Sequence, residues 1–264
     1  MDNHMKSIRY FIAQTKYNIK NAHALSKSFW IGVISMLINN TTFFVIWLLF
    51  MHATGPINGW TSLDVFGMLG VALICFGVTH AFFYGITEIP RFVTAGTFDG
   101  VLLAPVNSFI KVSGLSFSVT AFGDLIQGFI VVTIYGVLSK FTLGLWLMFI
   151  ATIILGCITF LLIRLLTSLV AFFMHDSSVV SRQLFEIFLR PGLYPGSIFP
   201  GKLKLFFMTV IPTLVTSALP IDAMKSSSLI WLALSFGIMF IWLGITYVVF
   251  KVSVRRYESG NFLR

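Results

Sequence analysis

The sequence predicts an all-α membrane protein of six transmembrane helices preceded by an amphipathic interfacial helix. Three observations carry this. Apolar residues make up 57% of the 264-residue chain and charged residues only 10%, whereas soluble domains carry roughly 25% charge. The apolar residues gather into runs at 29–51, 63–86, 109–138, 141–174 and 228–251. Each is long enough to cross a hydrocarbon layer of roughly 30 Å as a helix that satisfies its own backbone. Basic residues flank the first and last runs (Lys6, Arg9, Lys16, Lys20 and Lys27; Lys251, Arg255, Arg256 and Arg264), while 51–62 holds neither Lys nor Arg. This bias places both termini in the cytoplasm. An even number of spans then requires a sixth between 179 and 220.

Residues 1–28 read as one interfacial unit and 29–264 as a single six-span domain. In the first unit Ile8, Phe11, Ile12, Thr15, Ile19 and Ala22 recur at helical spacing, with the lysines and Arg9 largely around the other side. Such a helix lies in the headgroup layer, as a basic anchor or as an elbow bracing the first span. Trp60, Tyr135 and Trp231 are expected at the outer interface, and Trp30, Tyr84 and Tyr247 at the inner one. The first apolar run exceeds a signal-peptide core and no small-residue cleavage site follows it, so it is expected to remain as a span. The net charge of +9 reflects topology and attraction to anionic lipid. It does not suggest a nucleic-acid partner, because the charges flank membrane segments.

Polar groups inside the spans are costly and therefore informative. Asn39, Asn40, Thr41 and Thr42 fall in the middle of the first span, Asp124 and Gln127 in the third, and Arg164 in the fourth. The Asn/Thr cluster either packs helices together or lines a substrate path. Counting about 1.5 Å per residue from the inner ends puts Asp124 about 22 Å deep and Arg164 about 15 Å deep, within reach of an ion pair that fixes register or joins a transport path.

The region 175–220 has two readings. In one, 203–219 is the fifth span and 177–202 a loop. In the other, 179–192 is a short fifth span and 195–220 a re-entrant element before the last span, with Arg182, Glu186 and Arg190 on a face turned away from lipid. Prolines at 191, 195, 200, 212 and 220 favour broken helices.

Catalytic signatures are missing. There is no G-x-x-x-x-G-K-[ST] phosphate loop, the five histidines are scattered, and the GxxxG spacings at 96–100 and 192–196 fall in loops. Cys75 and Cys157 lie in separate spans without a CxxC pair, so neither a disulfide framework nor a metal site is expected. The chain reads as a non-enzyme with no cofactor of its own, driven by energy from elsewhere.

The order of features resembles a type-2 ABC transporter permease. A basic interfacial helix and six spans carry Gly96-Thr97-Phe98-Asp99-Gly100-Val101-Leu102-Leu103-Ala104-Pro105 between spans two and three. Tyr194-Pro195-x-x-Ile198-Phe199-Pro200, Ile211-Pro212 and Arg255-Arg256-Tyr257-Glu258-Ser259-Gly260 follow. The resemblance is closest to bacterial permeases encoded as two membrane subunits beside one ATPase.

It implies a bacterial plasma-membrane exporter in which two permeases, the same chain or homologous ones, face each other above ATP-binding subunits that hold ATP and Mg. It implies a cytoplasmic coupling helix at Glu88 to Pro105, with Glu88, Arg91 and Asp99 as polar contacts to the ATPase and Phe92, Phe98 and Leu102 as apolar anchors. Asn39, Asn40 and Thr42 become candidates for the path. Efflux of a drug-like, cationic or amphipathic compound by alternating access is the leading expectation. The alternative is an ion-gradient-driven secondary transporter with Asp124, Arg164 and Glu186 as coupled charges.

Overall fold

Each apolar run becomes helix, and the polar and proline punctuation decides where helices stop. The computed structural model describes residues 2–24, 26–174 and 177–257; His175, the Glu258-Ser259-Gly260 part of the carboxy-terminal motif and Arg264 lie outside them. Twelve α-helices occur among the described residues: α1 (Asp2–Ala24), α2 (Ser26–Thr54), α3 (Ser62–Phe82), α4 (Ile89–Thr94), α5 (Asp99–Leu102), α6 (Ser108–Ser113), α7 (Ala121–Leu138), α8 (Leu143–Leu169), α9 (Ser177–Leu189), α10 (Gly201–Thr209), α11 (Ala218–Ser226) and α12 (Leu229–Arg256). Among the described residues five segments are long and apolar enough to cross a membrane: Lys27–Thr54, Ser62–Phe82, Ala121–Leu138, Leu143–Phe172 and Leu229–Arg256.

Two expected spans come out differently. The run 109–138 is broken: Asn107 caps α6 by accepting from the Phe109 and Ile110 N–H groups, α6 stops at Gly114, and helix resumes only at Ala121. Between them the Ser118 and Thr120 hydroxyls bond each other at 2.9 Å, and the Ser118 N–H donates to the His80 carbonyl at 3.0 Å. Hydroxyl side chains and a tertiary partner thus replace the helical ladder. From 177 to 226 no continuous span forms. Helix α10 ends at Thr209, Pro212–Thr216 is a 3₁₀ turn, and Pro220 sits in the first turn of α11, where a missing N–H is tolerated. A smooth helix over 203–219 is therefore ruled out.

Helix α3 is the buried centre, 67% buried in its apolar window against 22% for α2. It packs on α7 and α8, and α8 in turn on α12 and α9. Close approach of α3 and α7 depends on small residues: a Cβ on Gly128 would stand 3.0 Å from the Gly70 carbonyl oxygen. Small residues at helix crossings are the usual way membrane helices gain van der Waals contact.

The end of the bundle that carries the basic termini is built around α1. Ile8, Ile12 and Ile19 are exposed, while the other side of α1 grips α6, the residue after it and Phe83 at the end of α3. The Phe11 and Phe83 rings stack at 5.3 Å, Asn18 Nδ2 donates to the Gly114 carbonyl at 3.0 Å, and Lys111 Nζ donates to Tyr10 Oη at 2.8 Å. The elbow thus braces the broken third span more than the first. The aromatic expectation also needs correction. Trp30 and Tyr247 are exposed, whereas Trp60 and Tyr135 are buried in the protein core.

Candidate functional site

Two places gather the sequence-predicted residues, and the first is the chain between α3 and α6. A 3₁₀ turn at Tyr84–Ile86 leads into α4, with Pro90 in its first turn. Arg91 Nε and Glu88 Oε2 pair at 2.7 Å, and the Arg91 guanidinium lies 5.4 Å from the centre of the Phe92 ring. Gly96, at φ +66°, supplies the left-handed turn after α4.

The resemblance makes Phe98 an apolar anchor for the ATPase, a role that needs an accessible ring. It is fully buried, edge-on to Phe172 at 5.1 Å and Tyr257 at 5.4 Å, within a cluster that includes Ile86, Ile89, Val93 and Leu169. The correction has a plain cause: the ring fills an apolar cluster between α4, the end of α8 and Tyr257 after α12, and burying it is worth more than exposing it. Burial, with the Asp99 charge beside it, pushes the Tyr257 phenol upward in pKa. Phe92 and Leu102 are half-buried against the same cluster and Asp99 is partly exposed. The apolar residue presented to solvent is Leu103, 84% exposed.

The second place is a cavity of about 470 Å³ between α2, α3 and the end of α9. Asn39, Asn40, Thr42, Phe44, Phe76 and Asp124 contribute to its wall. Asn40 and Asp124 are buried, and Asn40 Nδ2 donates to Asp124 Oδ1 at 2.7 Å, whereas Oδ2 has no hydrogen-bond partner. One helical turn on, Gln127 Nε2 donates to Thr41 Oγ1 at 3.2 Å, so two polar contacts staple α2 to α7. Asn39 and Thr42 are exposed on α2.

A family model described as ABC-2 family transporter protein matches residues 36–260. The chain belongs to the ABC-2 transporter family. Comparison with curated proteins and with solved structures returned no match. The match includes the α3–α6 connection and the cavity, and leaves α1 outside. As an ABC-2 family member with several apolar membrane-length helices, the protein is a multi-pass membrane protein of a transport system.

Other sites in this ABC-2 protein depart from expectation. Asp124 and Arg164 do not pair. The break before α7 puts Asp124 in that helix's first turn, about 4.5 Å along it, on the side facing α2. Arg164 instead donates from Nε to Thr87 Oγ1 at 3.0 Å and lies 4.7 Å from the Phe185 ring centre. Arg190, which opens the 3₁₀ turn after α9, and Glu186 on α9 approach to 3.5 Å with side chains 74% and 46% exposed, and Arg182 is exposed on α9. In the single chain this charged face is open.

At the end of the bundle away from the termini lies a cluster that sequence reasoning missed. Asp64 Oδ2 accepts from the Thr61 N–H, the Thr61 hydroxyl and Lys225 Nζ, the last at 2.6 Å, and Oδ1 accepts from the Tyr135 hydroxyl at 3.3 Å. Lys204 and Asp222 pair nearby at 2.7 Å. The Thr61-x-x-Asp64 spacing, a capping box with Asp in the usual Glu position, is the one local signal that pointed there.

Proposed function

We propose that this ABC-2 family member is the transmembrane permease subunit of an ATP-driven exporter, which effluxes a drug-like, cationic or amphipathic compound by alternating access. The observation that carries the reading is the α3–α6 connection. It is a folded knob whose apolar interior packs on the ends of α8 and α12, while Arg91 and Leu103 project outward. A rigid projection of this kind suits a coupling helix seated in a cleft of a separate ATP-binding subunit, which binds ATP and Mg in place of this chain. ATP-driven closure of the ATPase then moves the projection as a body and biases the membrane subunits between inward-open and outward-open states.

The basic end of the bundle faces the cytoplasm of a bacterium in this reading, and the broken segment from Pro195 through α11 is the re-entrant element on the far side. A second permease, identical or homologous, faces α2 and α9. Asn39, Thr42, Arg182 and Arg190 are exposed in the single chain and Glu186 partly so, and polar groups at membrane depth need a partner or a water-filled path to cover them.

Gentle purification of the tagged protein from its native membrane, with mass spectrometry of accompanying chains, tests the proposal. Wild type is expected to bring an ATP-binding subunit, and Leu103→Asp or Arg91→Glu to lose it while thermal stability is kept. A well-folded protein without an ATPase overturns the exporter reading in favour of gradient-driven transport.

A further inference from the structure

We infer that Asp124 is the anchor of a binding site for monovalent organic cations in the cavity between α2, α3 and α9. The inference rests on the exporter reading and names the charge class of its cargo. Asp124 belongs to the cavity wall, yet its side chain is out of contact with bulk water. One carboxylate oxygen is held by Asn40 at 2.7 Å and the other has no partner. An unpaired oxygen on a desolvated carboxylate is unusual in a folded protein, because each buried acceptor normally finds a donor.

Among the described residues no cation bonds the free carboxylate oxygen. Arg164, the basic residue deep in the fourth span, is engaged by Thr87 and Phe185. Lys204 and Lys225 are committed to Asp222 and Asp64. The wall around the carboxylate suits a cation with an apolar body: Phe44 and Phe76 contribute aromatic rings to it, and the Asn39 and Thr42 side chains bring oxygen acceptors. Aromatic faces attract cations within about 6 Å, and more strongly when water is excluded. The volume of about 470 Å³ lies within the roughly 300–1,000 Å³ typical of sites for drug-sized molecules. Asn40 then acts as a positioning residue that fixes the carboxylate so that Oδ2 is left for the guest.

The test uses the full chain in lipid nanodiscs, together with any ATPase that co-purifies, and tritiated tetraphenylphosphonium as probe. Wild type should prefer this cation at least tenfold over triphenylphosphine oxide, a neutral molecule of related shape, in competition. Asp124→Asn should bind the cation at least tenfold more weakly with its affinity for the neutral competitor little changed. Equal affinity of wild type for the two molecules, or undiminished cation binding by a folded Asp124→Asn protein, overturns the site. If Asp124→Asn fails to fold, the wild-type comparison of charged and neutral probes still decides. An ATPase partner without cation preference removes the site and leaves the exporter reading, whereas Asp124-dependent cation binding without an ATPase keeps the site and removes that reading.

Discussion

Replacing Phe98 by Ala separates a ring that holds the α3–α6 connection together from one that reaches for a partner. The ring is fully buried against Phe172 and Tyr257. A buried Phe→Ala change costs about 3–5 kcal/mol, and edge-on ring pairs account for about 0.5–1.5 kcal/mol each within that range. The segment lies at the edge of the bundle, so the loss falls on local opening of α4 and α5 more than on global unfolding. Taking the lower bound of about 3 kcal/mol, the opening equilibrium rises roughly a hundredfold. Hydrogen exchange followed by mass spectrometry reads this directly: peptides over 86–105 should exchange about two decades faster, with peptides over 62–82 as internal control. Leu103→Ala, at an exposed position, should leave both unchanged. Unaltered exchange over 86–105 in Phe98→Ala, with loss of ATPase binding alone, would refute the buried-keystone argument and restore Phe98 as a docking anchor.

Gly85→Ala should destabilise by about 1–3 kcal/mol, because the added methyl runs into the Val112 carbonyl; a thermal melt in nanodiscs, read by tryptophan fluorescence, gives the shift. Asp64→Ala strands Lys225 and Tyr135 and removes half of a capping box, so a loss of about 2–3 kcal/mol is expected. Lys225→Ala, whose side chain is 31% exposed, should cost about 1 kcal/mol or less, and equal losses in the two melts would contradict the hub. Asp124→Leu and Arg164→Met share no partner, so their stability effects should add to within about 0.5 kcal/mol; a double variant milder than Asp124→Leu alone would reinstate the ion pair.

Much of the helical plan was legible because hydropathy over 20-residue windows averages out local detail. It fixed α2, α3, α8 and α12 to within a few residues. The break at 114–120 escaped because Leu115, Phe117 and Val119 keep the average apolar, while the decisive features are a hydroxyl pair and the His80 carbonyl, both tertiary. The Asp124–Arg164 error follows from that one miss, since depth was counted along a helix that does not continue. Phe98 was misjudged for a different reason. Its segment is short, and the rings that cover it come from positions 172 and 257, far away in sequence. Asn40 and Asp124 were each recognisable as costly intramembrane groups, but their pairing depends on which faces of α2 and α7 meet.

The Asp64 cluster bears on how the second span moves. Helix α3 has 21 residues, a rod of about 31 Å at 1.5 Å per residue. Its first turn is clamped by a lysine from α11 and a tyrosine from the last turn of α7. A rod held at one tip cannot slide along its axis without breaking that clamp, and what remains is to swing. A swing of 5° about Asp64 carries the other tip sideways by about 2.4 Å, over the roughly 27 Å from Asp64 to Phe82. In the proposed transport cycle the carboxylate is therefore the fulcrum of this buried lever, and small angular changes there set the displacement delivered at the opposite face.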